Sequence, residues 1–256
     1  MEFGVLNPLA RWVMPKLIHK LRKWDFCAAQ RPDYFLANSE NTAARIKKYY
    51  GRESKVIYPG IEIPWDRSQE TGLMQDFYLA VGRCIPYKKF DLLVEAFNQN
   101  GKKLVCVTNT DNKLYRKLQK ISETNIEWKL DISRDETQEL FANAKAFLFP
   151  PEEDFGLAPL EAMAHGTPVI AYGKGGALET VVSNETGLGW DRSQAATGLF
   201  FTEQTPESLN RAIEQFEIMQ FDEEYIKKHA AKFSKEIFQE KFIEYIEEKL
   251  QEKKSL

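Results

Sequence analysis

The chain has 256 residues, with 35 Lys and Arg against 38 Asp and Glu and a formal charge of −3. That near balance excludes the strongly basic footprint of a nucleic-acid binder, and 43 % hydrophobic with 29 % charged residues excludes broad disorder. The length suits one large domain or one and a half ordinary ones.

Cys27, Cys84 and Cys106 are odd in number and lack metal-ligand spacing, which reads as reduced thiols in a cytoplasm-like compartment. No apolar run approaches the roughly 18 to 20 residues of a membrane span, and the N-terminus lacks a signal-peptide pattern. A cytoplasmic protein is expected, soluble or peripheral at the inner face of a membrane.

Residues 8–29 alternate bases (Arg11, Lys16, Lys20, Arg22, Lys23) with bulky apolar groups (Trp12, Val13, Leu17, Ile18, Leu21, Trp24), a basic amphipathic helix with a possible break at Pro15. Either it packs on a core and solvates its basic face, or it lies on a membrane surface. A short strand over 33–38 follows. Ser39 then caps a helix through Tyr50 that Gly51 closes, and 55–58 is another strand. The polar stretch 64–75, PWDRSQETGLMQ, reads as a linker.

From Asp76 strands and helices alternate: strands over 77–81, 103–107, 125–130, 146–149, 168–172 and 198–201, with helices between them at 114–122, 136–143 and 177–182 and after them at 206–216. Near-continuous apolar strands between helices imply a doubly wound parallel sheet covered on both faces, with ligands at the carboxyl ends of its strands. A long charged helix over 223–253 ends the chain, with Phe233, Phe238, Phe242, Tyr245, Ile246 and Leu250 on one side.

The most informative stretch is 149–171, FPPEEDFGLAPLEAMAHGTPVIA. The apolar run ends at Pro150 and Pro151, an acidic loop carries Glu152, Glu153 and Asp154, and Gly156 permits close backbone approach. Pro159 suits the first turn of a helix, so the helix is expected to begin there. Its orphan amides, from about Phe155 through Gly156 and Leu157 to Ala158, favour an anion such as a phosphate, and Glu161 in the first turns can reach a neighbouring diol.

Glu153 and Glu161, with DFGLAPL between them and EAMAHGTPVIA from the second onward, resemble the Glu-x7-Glu signature of retaining glycosyltransferases of family 4, which have the GT-B fold. The resemblance implies that Glu153 approaches a donor sugar and Glu161 binds the ribose of its nucleotide. Gly82-Arg83 and Lys88, in GRCIPYKKFD, resemble the Gly-Arg, four residues, Lys motif of the same family. A nucleoside diphosphate leaving group gains charge as the glycosidic bond breaks. Arg83 and Lys88 can stabilise that charge more in the transition state than in the ground state.

Segments 34–51 and 55–62 resemble the end of a GT-B N-terminal domain. The expected organisation is therefore an incomplete N-terminal (acceptor) domain over 1–63, the linker, a Rossmann-like donor domain over 76–220, and a final helix over 221–256 crossing back to the N-terminal part. The missing part implies a partner protein or a homodimer that completes the first domain. YKKFD, EEDFG and AYGKGGALETV are similar to bacterial mannosyltransferases of polysaccharide assembly, implying GDP-mannose as donor and a saccharide or lipid-linked acceptor. No Asp-x-Asp metal motif occurs, so no metal or other cofactor is expected.

The alternative is a truncated, non-catalytic nucleotide-sugar-binding subunit; a sugar-nucleotide epimerase fits the Arg83, Lys88, Glu153 and Glu161 set less well. Two departures bear on the base: the turn after the second donor-domain strand reads Thr108-Asn109-Thr110-Asp111-Asn112 where glycines are usual, and Leu130-Asp131 stands where a glycine is common. Gly173-Lys174-Gly175-Gly176 serves either a tight turn or close approach to a ligand. His165, before Gly166, is expected to cap a helix, and 184–201 reads as a loop insertion of unassigned role.

Overall fold

Helices form where the sequence supplies their caps. In the computed structural model, which describes residues 8–63, 76–183, 185–186, 189–190 and 196–254, Ser39 accepts a hydrogen bond from the Thr42 amide, and Gly51, at φ 66°, closes the same helix. The expected linker over 64–75 lies outside the described residues.

The chain divides into two compact units, Met1–Val56 and Ile57–Leu256. The first holds α1 (Pro8–Ala28), β1 (Leu36–Ala37), α2 (Glu40–Tyr50) and β2 (Lys55–Val56), with β1 and β2 parallel. Pro15 lies inside α1 without interrupting it. Tyr50 donates to Asp25 (2.8 Å), and Arg52 donates to the carbonyls of Ala29, Pro32 and Asp33, fastening the end of α1 to α2.

The second unit runs β3 (Tyr78–Val81), a 3-10 turn (Pro86–Lys88), α3 (Phe90–Asn100), β4 (Leu104–Thr108), α4 (Lys113–Ile121), β5 (Ile126–Leu130), α5 (Arg134–Asn143), β6 (Ala146–Phe149) and α6 (Leu157–Ala164). It continues with β7 (Val169–Tyr172), α7 (Ala177–Thr180), the short antiparallel pair β8 (Glu185–Thr186) and β9 (Gly189–Trp190), β10 (Gly198–Phe201), α8 (Pro206–Glu217), α9 (Glu223–Ala231) and α10 (Lys235–Lys254). Within the 184–201 segment that reads as an insertion, residues 184, 187–188 and 191–195 lie outside the described residues.

Six strands make one parallel sheet in the order β10-β7-β6-β3-β4-β5, as the alternating pattern requires. Side chains alternate between two cores. Tyr78, Ala80, Cys106, Leu148 and Ile170 face Phe97 of α3 and Ile213 of α8, while Leu79, Val107, Phe147 and Ala171 face Leu160 of α6 and Ile226 of α9. Each large side chain so buried contributes about 1.5–3 kcal/mol, and this two-sided burial is what holds the strand ends in place.

The terminal helix is two helices. A turn over 232–234 separates α9 from α10, because Ile61 forms a parallel bridge to Ser234: its amide donates to Phe233 O (2.8 Å), and the Lys235 amide donates to Ile61 O (2.9 Å). Phe233, expected on the stripe of one long helix, is buried in that turn. Residues 57–63, expected with the N-terminal part, thus belong to the second unit. They strap across it, with Tyr58 stacked on Phe155 (5.4 Å between ring centroids) and Glu62 paired with Arg134. Among the described residues no helix is long and apolar enough to cross a membrane.

Candidate functional site

Strand order reverses between β3 and β6, and there the sheet opens. Pairing of these two strands stops after Tyr78↔Ala146 and Leu79↔Phe147, so Ala80 and Val81 part from Leu148 and Phe149. A small cavity of about 10 Å³ fills the fork, lined by those four residues with Lys88, Phe90, Leu93, Pro150 and Pro151. A crevice at the carboxyl ends of strands where order reverses is the usual ligand site of an open α/β sheet.

Two loops face each other across this crevice. On one side Lys89, at φ 59°, turns the chain sharply between the 3-10 turn and α3, and the stem of Lys88 lies over Gly82. On the other side is the acidic loop. The Lys88 ammonium forms an ion pair with Oε1 of Glu153, and each side chain is only 19 % exposed. The structure therefore joins two of the sequence-derived site residues directly.

Arg83 stays exposed, and its guanidinium donates to the Tyr87 hydroxyl (3.4 Å). It borders a separate cleft of about 270 Å³ over the ends of β3, β4 and β5, lined also by Val81, Val107, Thr108, Asn109, Asp131, Ile132 and Thr137. The Arg83 turn is clamped by side chains that sequence reasoning had marked only as departures. Thr108 Oγ1 accepts from the Cys84 amide (3.0 Å) and the Thr110 amide (3.2 Å). Asn112 donates to Cys84 O (2.7 Å) while capping α4 through Tyr115 N (2.9 Å). The polar loop does by side-chain bonds what a glycine-rich turn does by conformational freedom.

α6 begins at Leu157, two residues before the expected start, with Gly156 as its cap at φ 88°, ψ 94°. Only glycine fits here, since a Cβ would lie 2.8 Å from the Phe149 ring and the positive φ is unfavourable for any side chain. The amides of Leu157 and Ala158 open the helix, and Pro159, now the third helical residue, has none to leave unpaired. The Phe155 ring is buried between Tyr58 and Phe233, so beyond its main chain this residue is structural.

Glu161 faces solvent from a concave setting. Lost hydration raises its pKa; the charge of Arg134 opposes this and that of Glu62 adds to it. The Glu62–Arg134 pair thus acts electrically on Glu161, a neighbourhood with no signature in local sequence because it joins the strap to the start of α5.

Gly175 and Gly176 also find their reason here. A Cβ on Gly175 would lie 2.4 Å from Glu153 O, and one on Gly176 2.2 Å from Phe155 Cα; the Gly176 amide donates to Glu153 O (2.8 Å). The glycines let the turn after β7 lie flush against the acidic loop. His165 caps the C-terminus of α6 and stacks on Phe141 (6.1 Å). Among the described residues no cluster of three His, Cys, Asp or Glu could hold a metal.

The family model described as glycosyl transferases group 1 matches residues 64–236. The chain belongs to this family. Its sheet and crevice are the GT-B architecture: a glycosyltransferase from Rickettsia africae ESF-5 superposes with a TM-score of 0.70 at 18 % identity over 85 % of this chain and 63 % of that one. Anabaena Alr3699/HepE, solved in complex with UDP and glucose, superposes with a TM-score of 0.70 at 20 % identity over 86 % of this chain and 65 % of that one.

Among curated relatives, the alpha-1,3/1,6-mannosyltransferase ALG2 of Candida glabrata is 27 % identical over 261 residues, 82 % of this chain and 56 % of that protein. The alg-2 protein of Neurospora crassa is 51 % identical over 49 residues, 19 % of this chain and 10 % of that protein. The chain spans about half the length of the first of these relatives. The C-terminal domain of a group 1 glycosyltransferase is present, and the curated relatives named above are mannosyltransferases.

Proposed function

We propose that the second unit is the donor half of a retaining glycosyltransferase of family 4 that takes mannose from GDP-mannose and delivers it to a saccharide or lipid-linked acceptor. The observation that carries this reading is the Lys88–Glu153 ion pair across the crevice. It puts a cation suited to a diphosphate and an acid suited to a sugar within contact of each other, at the place where an α/β sheet takes its ligand. The mannosyltransferase relatives support the choice of sugar.

In this reading Arg83 and Lys88 neutralise charge developing on the leaving diphosphate, without a metal or other cofactor. Charge-assisted hydrogen bonds of about 1.5–3 kcal/mol each exceed the roughly 0.3–1 kcal/mol of the α6 dipole, so the cations dominate and the amides at Phe155, Gly156, Leu157 and Ala158 orient. Glu153 lies beside the sugar and Glu161 accepts from the ribose hydroxyls. The acceptor side lies outside the second unit. The protein works in the cytoplasm, with α1 available for peripheral membrane contact.

The other reading is a nucleotide-sugar-binding subunit without turnover of its own. A coupled assay for nucleoside diphosphate release from GDP-mannose, with the full chain alone and with candidate partners, separates the two, and turnover by the lone chain rejects the second. Calorimetry tests the site. Glu161→Ala is expected to weaken GDP binding and Arg83→Ala mainly to lower turnover in a competent assembly; unchanged GDP affinity in a folded Glu161→Ala protein removes the ribose assignment.

A further inference from the structure

We infer that the Tyr87 hydroxyl is a further ligand of the donor diphosphate, a neutral hydrogen-bond donor standing between Arg83 and Lys88; this rests on the nucleoside-diphosphate reading above. Tyr87 faces both cations of the motif. Its hydroxyl oxygen accepts from the Arg83 guanidinium (3.4 Å), and the Lys88 ammonium lies over its ring, 5.6 Å from the centroid. A diphosphate that meets both cations therefore passes the phenol.

The turn that presents Tyr87 is fixed by its own main chain. Pro86 opens it, the Ile85 amide donates to Arg83 O (2.8 Å), the Lys88 amide to Ile85 O (3.0 Å) and the Lys89 amide to Pro86 O (3.3 Å). Beneath it Cys84 is fully buried and held by Thr108 and Asn112. Tyr87 itself is 49 % exposed. A phenol carried on a fixed turn and left half in solvent adds little to the core, so its position needs another reason.

Hydrogen bonding supplies one. A phenol oxygen can accept and donate at once, whereas a guanidinium only donates. Arg83 takes the accepting side, and among the described residues nothing accepts the hydroxyl proton. A cation bonded to the oxygen polarises the O–H and strengthens its donation. Ionised phosphate oxygens accept, and the two flanking cations draw them to this place. Lys88 is paired with Glu153, the acid placed beside the sugar, so the phosphate at this end is the one the sugar leaves. Tyr87 gives that phosphate a hydrogen bond without adding charge.

The test is calorimetry of the full chain with GDP and GMP, for wild type, Tyr87→Phe, Arg83→Ala and the double variant. Tyr87→Phe keeps the ring beneath Lys88 and removes only an exposed hydroxyl, so the fold is retained, checked by its melting curve. Its GDP affinity is expected to fall about tenfold, as loss of one charge-assisted bond implies, and its affinity for GMP, which lacks the second phosphate, by less than about twofold. In the Arg83→Ala background the same step is expected to cost GDP at least about threefold, because the bond runs to the phosphate and not through the guanidinium. GDP affinity within about twofold of wild type in Tyr87→Phe, an equal loss for GMP, or no loss in the Arg83→Ala background overturns this assignment alone. Failure of wild type to bind GDP overturns the donor-site reading and this assignment together.

Discussion

Gly176→Ala tests the contact that holds the acidic loop. At φ −65° and ψ −17° the backbone of Gly176 suits any residue, so the substitution adds no conformational strain, and stiffening the unfolded chain stabilises by about 0.4–1 kcal/mol. Against this, the new methyl would stand 2.2 Å from Phe155 Cα, 2.5 Å from Phe155 O and 2.6 Å from Asp154 O, all main-chain atoms that cannot rotate away. Overpacking of that kind costs about 1–3 kcal/mol, and the 2.8 Å bond from the Gly176 amide to Glu153 O, worth about 1 kcal/mol, is lost if the loop moves off.

The net is a destabilisation of roughly 1–3 kcal/mol, or about 3–10 °C in the melting temperature of a domain this size. Gly82→Ala is the control: its methyl would meet Lys88 Cδ and Phe90 Cε2 at an ordinary 3.8 Å. Differential scanning calorimetry should show a large shift for Gly176→Ala and a small one for Gly82→Ala. Gly176→Ala should also depress GDP binding, because the displaced segment carries Glu153. A Gly176→Ala melt within about 1 °C of wild type would mean that the turn after β7 does not bear on the acidic loop.

Lys88→Met should destabilise by about 1–3 kcal/mol, because it strands Glu153, and adding Glu153→Gln should recover most of that loss; a coupling below about 0.3 kcal/mol in the double-mutant cycle would show the ion pair to be inert. Glu161 has a raised pKa, so its ionisation opposes folding: its effect is absent below the ordinary carboxylate value of 4.5 and grows as pH rises through the folded value. Glu161→Gln is thus expected to be more stable than wild type near pH 7 and equal to it near pH 4, and equal stability at both pH values in urea titrations contradicts the concave setting. His229 is the opposite case: burial lowers its pKa, its bond to Thr180 O (2.9 Å) opposes that, and Lys232 adds to it. Stability should therefore fall as pH drops below the ordinary 6.5, and His229→Gln should flatten that slope; an unaltered slope assigns it to other groups.

The sheet was legible because its central strands, β4, β6 and β7, are buried along their whole length and nearly all apolar, and β10 carries the bounds its pattern predicts. Caps written in local sequence, Ser39 and Gly51 among them, were legible too. The start of α6 was misplaced because Pro159 is as compatible with the third helical position as with the first. The α9–α10 break escaped because Phe233 is apolar and in phase with the stripe, while the bridge that makes the turn comes from Ile61, far away in the chain. The same non-locality hid the Glu62–Arg134 pair and the packing of Gly175 and Gly176 against the acidic loop. Motif spacing gave Lys88 and Glu153 separately, and only the parting of β3 from β6 made them partners.

That partnership separates two cations which the motif presents as equals. Lys88 is already neutralised by Glu153 at contact, so from a distance the pair is a dipole and its field fades quickly. Arg83 is exposed and meets a neutral hydroxyl at 3.4 Å, so its full charge reaches out to about the Debye length of roughly 10 Å. On the proposed function an incoming diphosphate is drawn first by Arg83 and the opening amides of α6, and competes for Lys88 only on arrival. A diphosphate carries more charge than a carboxylate, so the ammonium transfers to it, and Glu153 is released at the moment the donor sugar comes within its reach. On that reading Glu153 loses its counter-charge beside the bond that must break, where a carboxylate does most to stabilise a sugar carbon turning cationic.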